Sequence, residues 1–518
     1  MPVRFAQFTN SAFAAALAAL AVSGCARNPY FQPDARPEAV RAQALPASAD
    51  TVRNATAGRQ YNAHGRLYEA LVGQHQRRSW AAPVTVPVMR LATAYPGGLR
   101  PGKVGGGFNS TSLSLLAANS RAYVLRTVDK DPVRATPRLL RGTFLVNALR
   151  DNVSATQPYA ALVVPLLSAA LAVPYCSPRL FYVRADDPAF KSDSLRHFRG
   201  QLALLEEKFS GPTAPVPGLG RVPVLGSKEA FAAVFANPSL RFGQTALLRA
   251  RLLDAFMGDW DRHPGQWNWA EVVGENPADK TLVPLPKDRD MVFYRLDDGA
   301  LGWLAGHVLL RHWTTFRATY APATNLFSSG RYLDARGLNG LSRAQFQAVA
   351  KAMQQRLSDT LLARAVLRLP PAVWALEGPR STAALRARRD ALPALADAFY
   401  LRLARRVTVG GTDAPERFVV QRFADSTRVT VYAGSSGIAP MMYRRTFYPA
   451  ETRTIQLEGL GGNDVFEVSG APGISRPAVR GFGGNGADTM PAPAGGSGVR
   501  IGQGSAPAKH AYDAPPKE

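Results

Sequence analysis

Apolar residues recur at helical intervals in two long stretches of the second half of the chain. In residues 342–361 they form one stripe, and Ser342 with Gln345 makes a capping box at its start. A second helical pattern covers residues 381–406 and is broken at Pro393. Because their stripes are continuous, both segments are predicted to contribute core rather than site residues.

Other parts of the chain alternate between apolar and polar positions, as half-buried strands do. Residues 110–115 and 121–126 show this alternation upstream. Between residues 406 and 490, short β-type runs are separated by Gly, Asp and Ser turns. Together with the helical stripes, the pattern predicts an α+β fold class with a small β-rich domain at residues 406–490.

The amino terminus has the pattern of an export signal. Arg4 precedes an apolar run at residues 12–22 that is too short to span a membrane as a mature helix. The run ends in Val-Ser-Gly-Cys, which resembles a bacterial lipobox. We therefore expect residues 1–24 to be removed and Cys25 to be lipidated, in preference to an ordinary secretory signal. Residues 25–65, rich in Ala, Pro, Arg and Gln, are predicted to be a flexible tether.

These features predict a lipoprotein of the cell envelope, held on the outer membrane by its lipid and facing the periplasm or the surface. The charge is strongly positive, +24 from 62 Lys and Arg against 38 Asp and Glu, which suits an anionic envelope component. A genome that favours Arg and Ala is the alternative explanation. No compact basic run with interleaved aromatic residues is present, so no nucleic-acid partner is expected.

Two acidic clusters stand out in the middle of the chain. Residues 253–267 read LDAFMGDWDRHPGQW, with Asp261 followed five positions later by the carboxamide of Gln266. Asp288 and Asp290 follow an apolar run some twenty positions downstream. In-line phosphoryl transfer needs a carboxylate near the nucleophile and clustered oxygens for a hard cation. The spacing therefore indicates a phosphotransferase site, against the alternative of solvated loop acids beside buried tryptophans.

These motifs resemble the atypical kinase-like group that includes secretory-pathway, CotH-type, HipA-type and type II phosphatidylinositol 4-kinases. The resemblance extends over about residues 87–488 and is closest to a block that, in bacterial envelope proteins, often precedes a BamA/TamA-like surface-antigen module. It implies a two-lobed protein-kinase-like domain at residues 66–405. The N-lobe would cover about 80–190 and the C-lobe about 191–405.

The same resemblance implies roles for individual residues of the acidic clusters. Asp261 would be the catalytic aspartate, and Asp288, with Asp290 beside it, would hold metal. His263 is a base, a metal ligand or a structural hydrogen-bond partner, and the structural role is favoured because kinase-type transfer needs no histidine base. Gln266 stands where many kinases have a metal-binding Asn, a departure that puts the activity in doubt.

A glycine-rich turn and two cations are the candidate phosphate-binding groups. Gly105, Gly106 and Gly107 could lay backbone N–H groups over phosphates, although such glycines also mark ordinary hairpins. Arg126 ends a predicted strand and Lys130 follows it. Either one could bind the phosphates, with a solvated strand end as the alternative for each.

The acidic partner of that cation is expected on the next helix. Residues 139–153 have a helix-like pattern that ends in Arg-Asp-Asn at positions 150–152. Asp151 is the predicted partner.

The β-rich domain contains two glycine-rich repeats. Residues 459–466 and 481–488 resemble two turns of a calcium-binding β-roll, which makes Asn463, Asp464 and Asp488 candidate calcium ligands. Tight glycine turns in a small stacked sheet are the favoured alternative, because two copies are few for a roll.

The end of the chain has a different composition. Residues 491–518 are rich in Gly, Pro, Ala and Ser and are predicted to be a disordered tail. No surface-antigen module is therefore expected in this chain.

The function expected from these observations is Mg²⁺- or Mn²⁺-dependent phosphoryl transfer from ATP or another nucleotide to a protein, lipid or glycan hydroxyl. ATP is scarce outside the cytoplasm, so a non-catalytic kinase-like scaffold in outer-envelope assembly or surface-antigen function stays open. A metal-dependent phosphoesterase is the third alternative. It ranks last because the chain has no D-x-H or G-N-H-D constellation.

Overall fold

A computed structural model describes residues 50–105, 111–274, 279–470, 476–490 and 498–506. The predicted signal peptide, the predicted lipidation site Cys25, and Gly106 and Gly107 lie outside these ranges. The described residues form a mixed α and β structure with five sheets.

The first large sheet contains five antiparallel strands. They are β3 (Leu99–Gly105), β4 (Ser112–Ala117), β5 (Ala122–Thr127), β6 (Arg179–Val183) and β7 (Gln201–Glu207), in the spatial order β3-β4-β5-β7-β6. The predicted boundary near residue 190 falls between β6 and β7, although β7 pairs with both β5 and β6 in this sheet.

A two-stranded sheet precedes it. Strands β1 (Val52–Ala55) and β2 (Val84–Pro87) pair antiparallel. Tyr61, which follows β1, is fully buried and stacks edge-on against Trp80. The prediction of a tether that extends to residue 65 is therefore wrong for residues 52–62, because these residues bury apolar side chains in the main core.

The second large sheet also has five strands. They are β8 (Gly211–Val216), β9 (Gly220–Gly226), β10 (Leu240–Phe242), β11 (Trp267–Val273) and β12 (Lys280–Pro286), in the order β10-β12-β11-β9-β8. Strands β11 and β12 run antiparallel, and Trp267 at the start of one lies opposite Pro286 at the end of the other.

Helices pack around this sheet and form most of the main core. They are α1 (Arg66–Val72), α2 (Arg77–Ala81), α3 (Phe144–Asp151), α4 (Val164–Ala170), α5 (Ser227–Ala236), α6 (Gln244–Met257), α7 (Ala300–Leu304), α8 (Ala323–Leu326), α9 (Arg331–Gly337), α10 (Arg343–Arg356), α11 (Asp359–Val366), α12 (Pro371–Asp390) and α13 (Leu392–Ala404). Among the described residues, no single helix has the length and hydropathy of a membrane span, although the bent pair Leu145–Leu162 and Val164–Ala170 reaches both together.

Two of the sequence signals for helix boundaries are found at helix boundaries in the structure. The capping box of Ser342 and Gln345 is confirmed at the start of α10. Pro393 separates two helices because it occupies the first turn of α13, where a missing N–H costs no hydrogen bond. The helix before it begins at Pro371 rather than near residue 381, and α3 is shorter than the predicted 139–153.

The β-rich end, residues 406–502, consists of two sheets whose parallel strands stack on one another like rungs, and we call this region the stacked rungs. Strands β13 (Arg406–Gly410), β17 (Thr454–Glu458), β19 (Ala478–Phe482) and β20 (Val499–Gly502) form an all-parallel sheet in that order. A second sheet contains β14 (Glu416–Arg422), β15 (Thr427–Ala433), β16 (Met441–Phe447) and β18 (Val465–Gly470). The inner faces of both sheets share one apolar core.

Strand β20 corrects the prediction of a disordered tail at residues 491–518 for residues 499–502, whereas residues 491–497 and 507–518 lie outside the described ranges. Val499 and Ile501 pack against the core of the stacked rungs, and β20 pairs in parallel with β19. A short β run with two apolar residues was sufficient here because a neighbouring rung supplies the pairing edge.

Candidate functional site

The two acidic clusters lie in loops at one end of the second large sheet. Helix α6 stops at Gly258, whose φ of 76° is a left-handed conformation that suits glycine. The loop that carries Asp261 then leads into β11. Strand β12 ends at Pro286 and leads directly to Asp288. Since Trp267 and Pro286 are paired neighbours, the sheet holds both loops together.

Arg262 links the two loops through side-chain hydrogen bonds. Its fully buried guanidinium donates hydrogen bonds to the carbonyls of Lys287 at 2.8 Å and Gln266 at 3.2 Å, and to the carboxylate of Asp254 at 3.2 Å. A planar guanidinium has five N–H donors, so one side chain can satisfy several acceptors at once. The arginine of the Asp-Arg-His triplet therefore positions the site and does not face its opening.

Two cations, Arg126 in β5 and Lys130 in the loop that follows it, meet the aspartates of the second loop. The Nη1 atom of Arg126, in β5, lies 3.1 Å from Oδ1 of Asp288. The ammonium of Lys130 forms a close ion pair with Asp290. Both cations that the sequence left as alternatives are thus present, and each faces one of the two predicted metal-binding carboxylates.

Asp288 is held as an anion in an unusual backbone conformation. Burial raises the pKa of Asp288, but the charges of Arg126 and Lys130, together with a hydrogen bond from Gln266, outweigh burial and leave it lowered. Its φ of 59° lies in the left-handed region, which a non-glycine residue adopts only where its surroundings fix it. Asp288 is therefore ionised and positioned before any ligand arrives.

The surroundings of Asp261 shift its pKa in the opposite direction to that of Asp288. Burial, together with the negative charges of Asp290 and Asp288, raises the pKa of Asp261, whereas His263 lowers it. A carboxylate with a raised pKa accepts a proton more readily than a solvated one. His263 itself is exposed, and its Nδ1 atom accepts a hydrogen bond from the backbone N–H of Gly265 at 3.1 Å. This contact supports a structural contribution to the loop.

The predicted partner of the cations is wrong. Asp151 forms a two-pronged ion pair with Arg77, at 2.7 and 2.6 Å, and Tyr68 donates a hydrogen bond to it at 3.1 Å. This pair is buried among the helices α1 to α3 and does not reach Arg126 or Lys130. Glu206 of β7 takes part in the site instead, with a carboxylate oxygen 3.8 Å from Nε of Arg126.

Glu206 and Lys287 were missed from the sequence. Burial raises the pKa of Glu206, with Arg126 opposing it. Lys287 directly precedes Asp288, and burial lowers its pKa. The pairing of β7 with β5 could have indicated Glu206, but this pairing crosses more than seventy residues of chain. Of the glycine-rich turn, only Gly105 is described, at the end of β3.

Two small cavities adjoin these charges. One, of about 180 Å³, is lined by residues of both large sheets, among them Arg126, Glu206, Asn268 and Asp288. The other, of about 50 Å³, is lined by Lys130 and Asp290 among others and shares Arg126 and Asp288 with the first. Each is smaller than the roughly 300 Å³ at which ligand pockets usually begin. The ion pairs Arg126–Asp288 and Lys130–Asp290 join the two sides of this region and account for the small volume of both cavities.

The predicted metal set consists of two carboxylates and a carboxamide. Asp288, Asp290 and Gln266 offer the oxygen atoms that Mg²⁺ and Mn²⁺ prefer. In the ranges that the structure describes, no group of three or more His, Cys, Asp or Glu side chains converges as a metal site. The donor chemistry therefore fits a hard cation only with the help of Gln266 and of ligand oxygens.

In the glycine repeats of the β-rich end, acidic side chains accept hydrogen bonds from the backbone of neighbouring segments. Oδ1 of Asp464 accepts the backbone N–H of Glu416 at 2.8 Å, and Oδ1 of Asp488 accepts that of Asp464 at 3.0 Å. Asn463 likewise accepts the N–H of Ala487 at 2.9 Å. These bonds tie one rung to the next, which agrees with turns in a stacked sheet. Calcium binding at Asn463, Asp464 and Asp488 stays a prediction.

Comparison with known proteins gives little beyond this geometry. No protein-family model and no curated protein matches the chain. Among solved structures, the crystal structure of a Helicobacter pylori proinflammatory kinase, CtkA, can be aligned with this chain. The alignment covers 60% of this chain and 98% of the CtkA chain, at 10% sequence identity and a TM-score of 0.30. A TM-score of this size does not establish a shared fold, so function has to be argued from the site.

Proposed function

We propose that the chain is a two-lobed kinase-like protein that transfers the terminal phosphoryl group of a nucleotide to a hydroxyl group. The observation that carries this proposal is that Arg126 of β5 and Lys130 just after it pair with Asp288 and Asp290, which follow the last strand residue of β12 in the other sheet. Phosphoryl transfer asks a protein chiefly for such opposed charges in fixed positions. In this proposal the first large sheet and the second belong to different lobes.

Each side chain has a distinct task. Arg126 and Lys130 would bind the phosphate oxygens, since both are cations that line the small cavity beside Asp288 and Asp290. Asp261 would orient the acceptor hydroxyl and take its proton, because its raised pKa favours proton acceptance. Arg262 would keep Asp261 and Asp288 in register by holding the carbonyls of both loops.

A divalent cation, Mg²⁺ or Mn²⁺, would be held by Asp288, Asp290 and Gln266. When bound, it would neutralise the negative charge of the phosphates. The ionised state of Asp288 and the hydrogen bond from Gln266 support this assignment. Entry of a nucleotide would require the pairs Arg126–Asp288 and Lys130–Asp290 to separate, with phosphates replacing the aspartates as partners of the cations.

The same ion pairs favour a second candidate, a kinase-like scaffold without catalysis. Cations and anions that already neutralise each other can close a cleft permanently, and Gln266 replaces the usual Asn. Such a scaffold would bind envelope components without metal. In both cases we propose that the chain is a lipoprotein attached to the outer membrane through Cys25.

A transfer experiment distinguishes the two candidates. Purified full-length chain is incubated with γ-labelled ATP, Mn²⁺ and a bacterial envelope fraction, and the label in protein, lipid and glycan fractions is counted. Transfer by wild type that falls at least a hundredfold in Asp261→Asn, but not in the exposed control Asp193→Asn, supports the kinase. Transfer that is absent in wild type, or unchanged in Asp261→Asn, contradicts it.

A further inference from the structure

A large groove separates the candidate catalytic loop from the stacked rungs. It encloses about 1120 Å³, slightly more than the roughly 300–1,000 Å³ of typical ligand pockets. One wall is formed by helix α5 with His263, Pro264 and Gly265, and the opposite wall by Leu460, Phe482 and Gly484 of the rungs. The groove is distinct from the two small cavities beside Arg126.

The walls of the groove are mainly apolar. Phe231, Phe235 and Tyr332 pack their rings against one another, with centroids 5.0 to 6.0 Å apart, and Trp267 contributes to the same surface. The charged lining residues nearly balance, with Lys228, Lys287 and Arg336 against Glu229 and Glu458, and Nη2 of Arg336 lies 2.7 Å from a carboxylate oxygen of Glu458. The surface is therefore suited to an uncharged apolar body.

One end of the groove reaches the proposed transfer site. His263 lines this end, and it is close enough to Asp261 to lower the pKa of that carboxyl. Lys287 lines both the groove and the cavity that contains Arg126 and Asp288. An occupant of the groove would thus extend from an apolar body to a polar head beside His263 and Lys287, at the loop that carries Asp261.

Several hydrogen-bonding groups on the walls are already in use. The hydroxyl of Ser227 donates to the carbonyl of Pro264 at 2.7 Å and accepts from the indole of Trp269 at 3.0 Å. Gly226 is paired with Asn268 in the sheet, and the N–H of Gly484 donates to Gly504. A glycan or an extended peptide would need such groups to be free, whereas an acyl chain would not.

We propose that this groove is the acceptor site and that the acceptor is a neutral amphiphile with a free hydroxyl group. This inference rests on the proposed phosphoryl transfer. The hydroxyl oxygen would form a bond to the γ-phosphorus while the bond from that phosphorus to the β,γ-bridging oxygen breaks. The hydroxyl proton passes to Asp261, ADP leaves, and the product is the phosphomonoester of the amphiphile.

The test uses 1,2-dioctanoylglycerol, which has one free hydroxyl and two short acyl chains, and the purified full-length chain. Its binding is measured by calorimetry without nucleotide. Ala232→Trp places a large ring in the groove from the exposed face of α5, whereas Ala236→Trp makes the same change one turn later, outside the lining. A second groove variant, Phe482→Ser, acts from the opposite wall.

Saturable one-to-one binding that is at least tenfold weaker in Ala232→Trp and Phe482→Ser, but unchanged in Ala236→Trp, is the expected result. No binding, equal binding in all variants, or displacement by a Ser- and Thr-containing peptide would overturn the assignment. The effect of ATP and Mn²⁺ on melting is recorded separately. If ATP and Mn²⁺ raise the melting temperature while dioctanoylglycerol does not bind, only the acceptor assignment is overturned. If dioctanoylglycerol binds but ATP and Mn²⁺ have no effect on melting, the acceptor role and the transfer function are both overturned.

Discussion

Asp261 and Asp288 lie in neighbouring loops, yet their surroundings shift their pKa values in opposite directions. Cations surround Asp288 and favour its charged form, whereas burial and nearby acids favour the neutral form of Asp261. Two carboxylates with separated pKa values are a frequent arrangement where one binds a charge and the other moves a proton. The division of roles proposed here follows from that difference.

Replacing His263 tests this division at the level of one residue. Because the positive charge of a protonated His263 lowers the pKa of Asp261, His263→Gln should raise that pKa further at pH values where the imidazole is protonated. A base that must be ionised then becomes active only at higher pH. The acid limb of the pH–rate profile for transfer is expected to move to higher pH, with little change on the alkaline side. An acid limb that stays in place would show that Asp261 does not act as the base.

Sequence reasoning selected most of the charged residues that meet at the candidate site but not all of their partners. Asp261, Asp288, Asp290, Arg126 and Lys130 could be selected because each belongs to a short motif with its own spacing. Asp151 was assigned wrongly because its partner, Arg77, lies 74 positions away and is brought to it only by packing of helices. Ion pairs of this kind depend on tertiary contacts that no local pattern encodes.

At the level of elements, the stacked rungs depend on buried acids. The side chain of Asp464 is inaccessible, and its Oδ2 atom has no hydrogen-bond partner among the described residues. Burial, with smaller contributions from Glu416 and Asp488, raises the pKa of Asp464 to about 7. Asp464 is therefore protonated in the folded chain at a pH where an unfolded aspartate is already ionised.

This difference predicts a pH-dependent stability. An unfolded aspartate has a pKa of about 3.9, so the folded chain binds the extra proton between about pH 4 and pH 7. The stabilisation is complete below pH 4 and is lost as pH rises towards 7. Measured by thermal melting, wild type should lose stability relative to Asp464→Asn across that window. A constant difference between the two proteins would contradict the assignment.

Individual strands and helices were easier to predict than their arrangement. The alternation of β14, buried at every second residue from Glu416 to Arg422, and the capping box of α10 are local signals. The parallel register of β13, β17 and β19 is not local, because three strands intervene in the chain between β13 and β17 and one between β17 and β19. For the same reason β20 was missed in a glycine-rich stretch.

At the scale of the whole molecule, the stacked rungs are attached to the rest by buried polar contacts. Arg336 of α9 pairs with Glu458 of β17, and both side chains are almost fully buried. The backbone N–H of Asp413 donates to the carbonyl of Phe235 at 2.7 Å, and the hydroxyl of Tyr443 to that of Asn339 at 2.9 Å. Contacts of this type couple two regions more firmly than exposed charges do.

We therefore expect the described part of the chain to melt in a single cooperative transition. Arg336→Met leaves the carboxylate of Glu458 buried without its partner and should cost about 3–5 kcal/mol. Arg343→Met removes an arginine from the solvent-exposed pair with Asp397 and should have a much smaller effect. Calorimetric and urea unfolding measure both variants. Two separate transitions in wild type, or equal effects of the two substitutions, would contradict this coupling.

The central claim is that the two loops form one site for a nucleotide and a metal ion, and ligand-dependent melting tests it most directly. A ligand that binds only the folded chain raises the melting temperature. The full-length chain is melted with ATP alone, Mn²⁺ alone and both, beside Asp288→Ala and the exposed control Asp193→Ala. We predict a rise that requires both ligands, disappears in Asp288→Ala and persists in Asp193→Ala. No rise with any nucleotide, or a rise that survives in Asp288→Ala, would contradict the account.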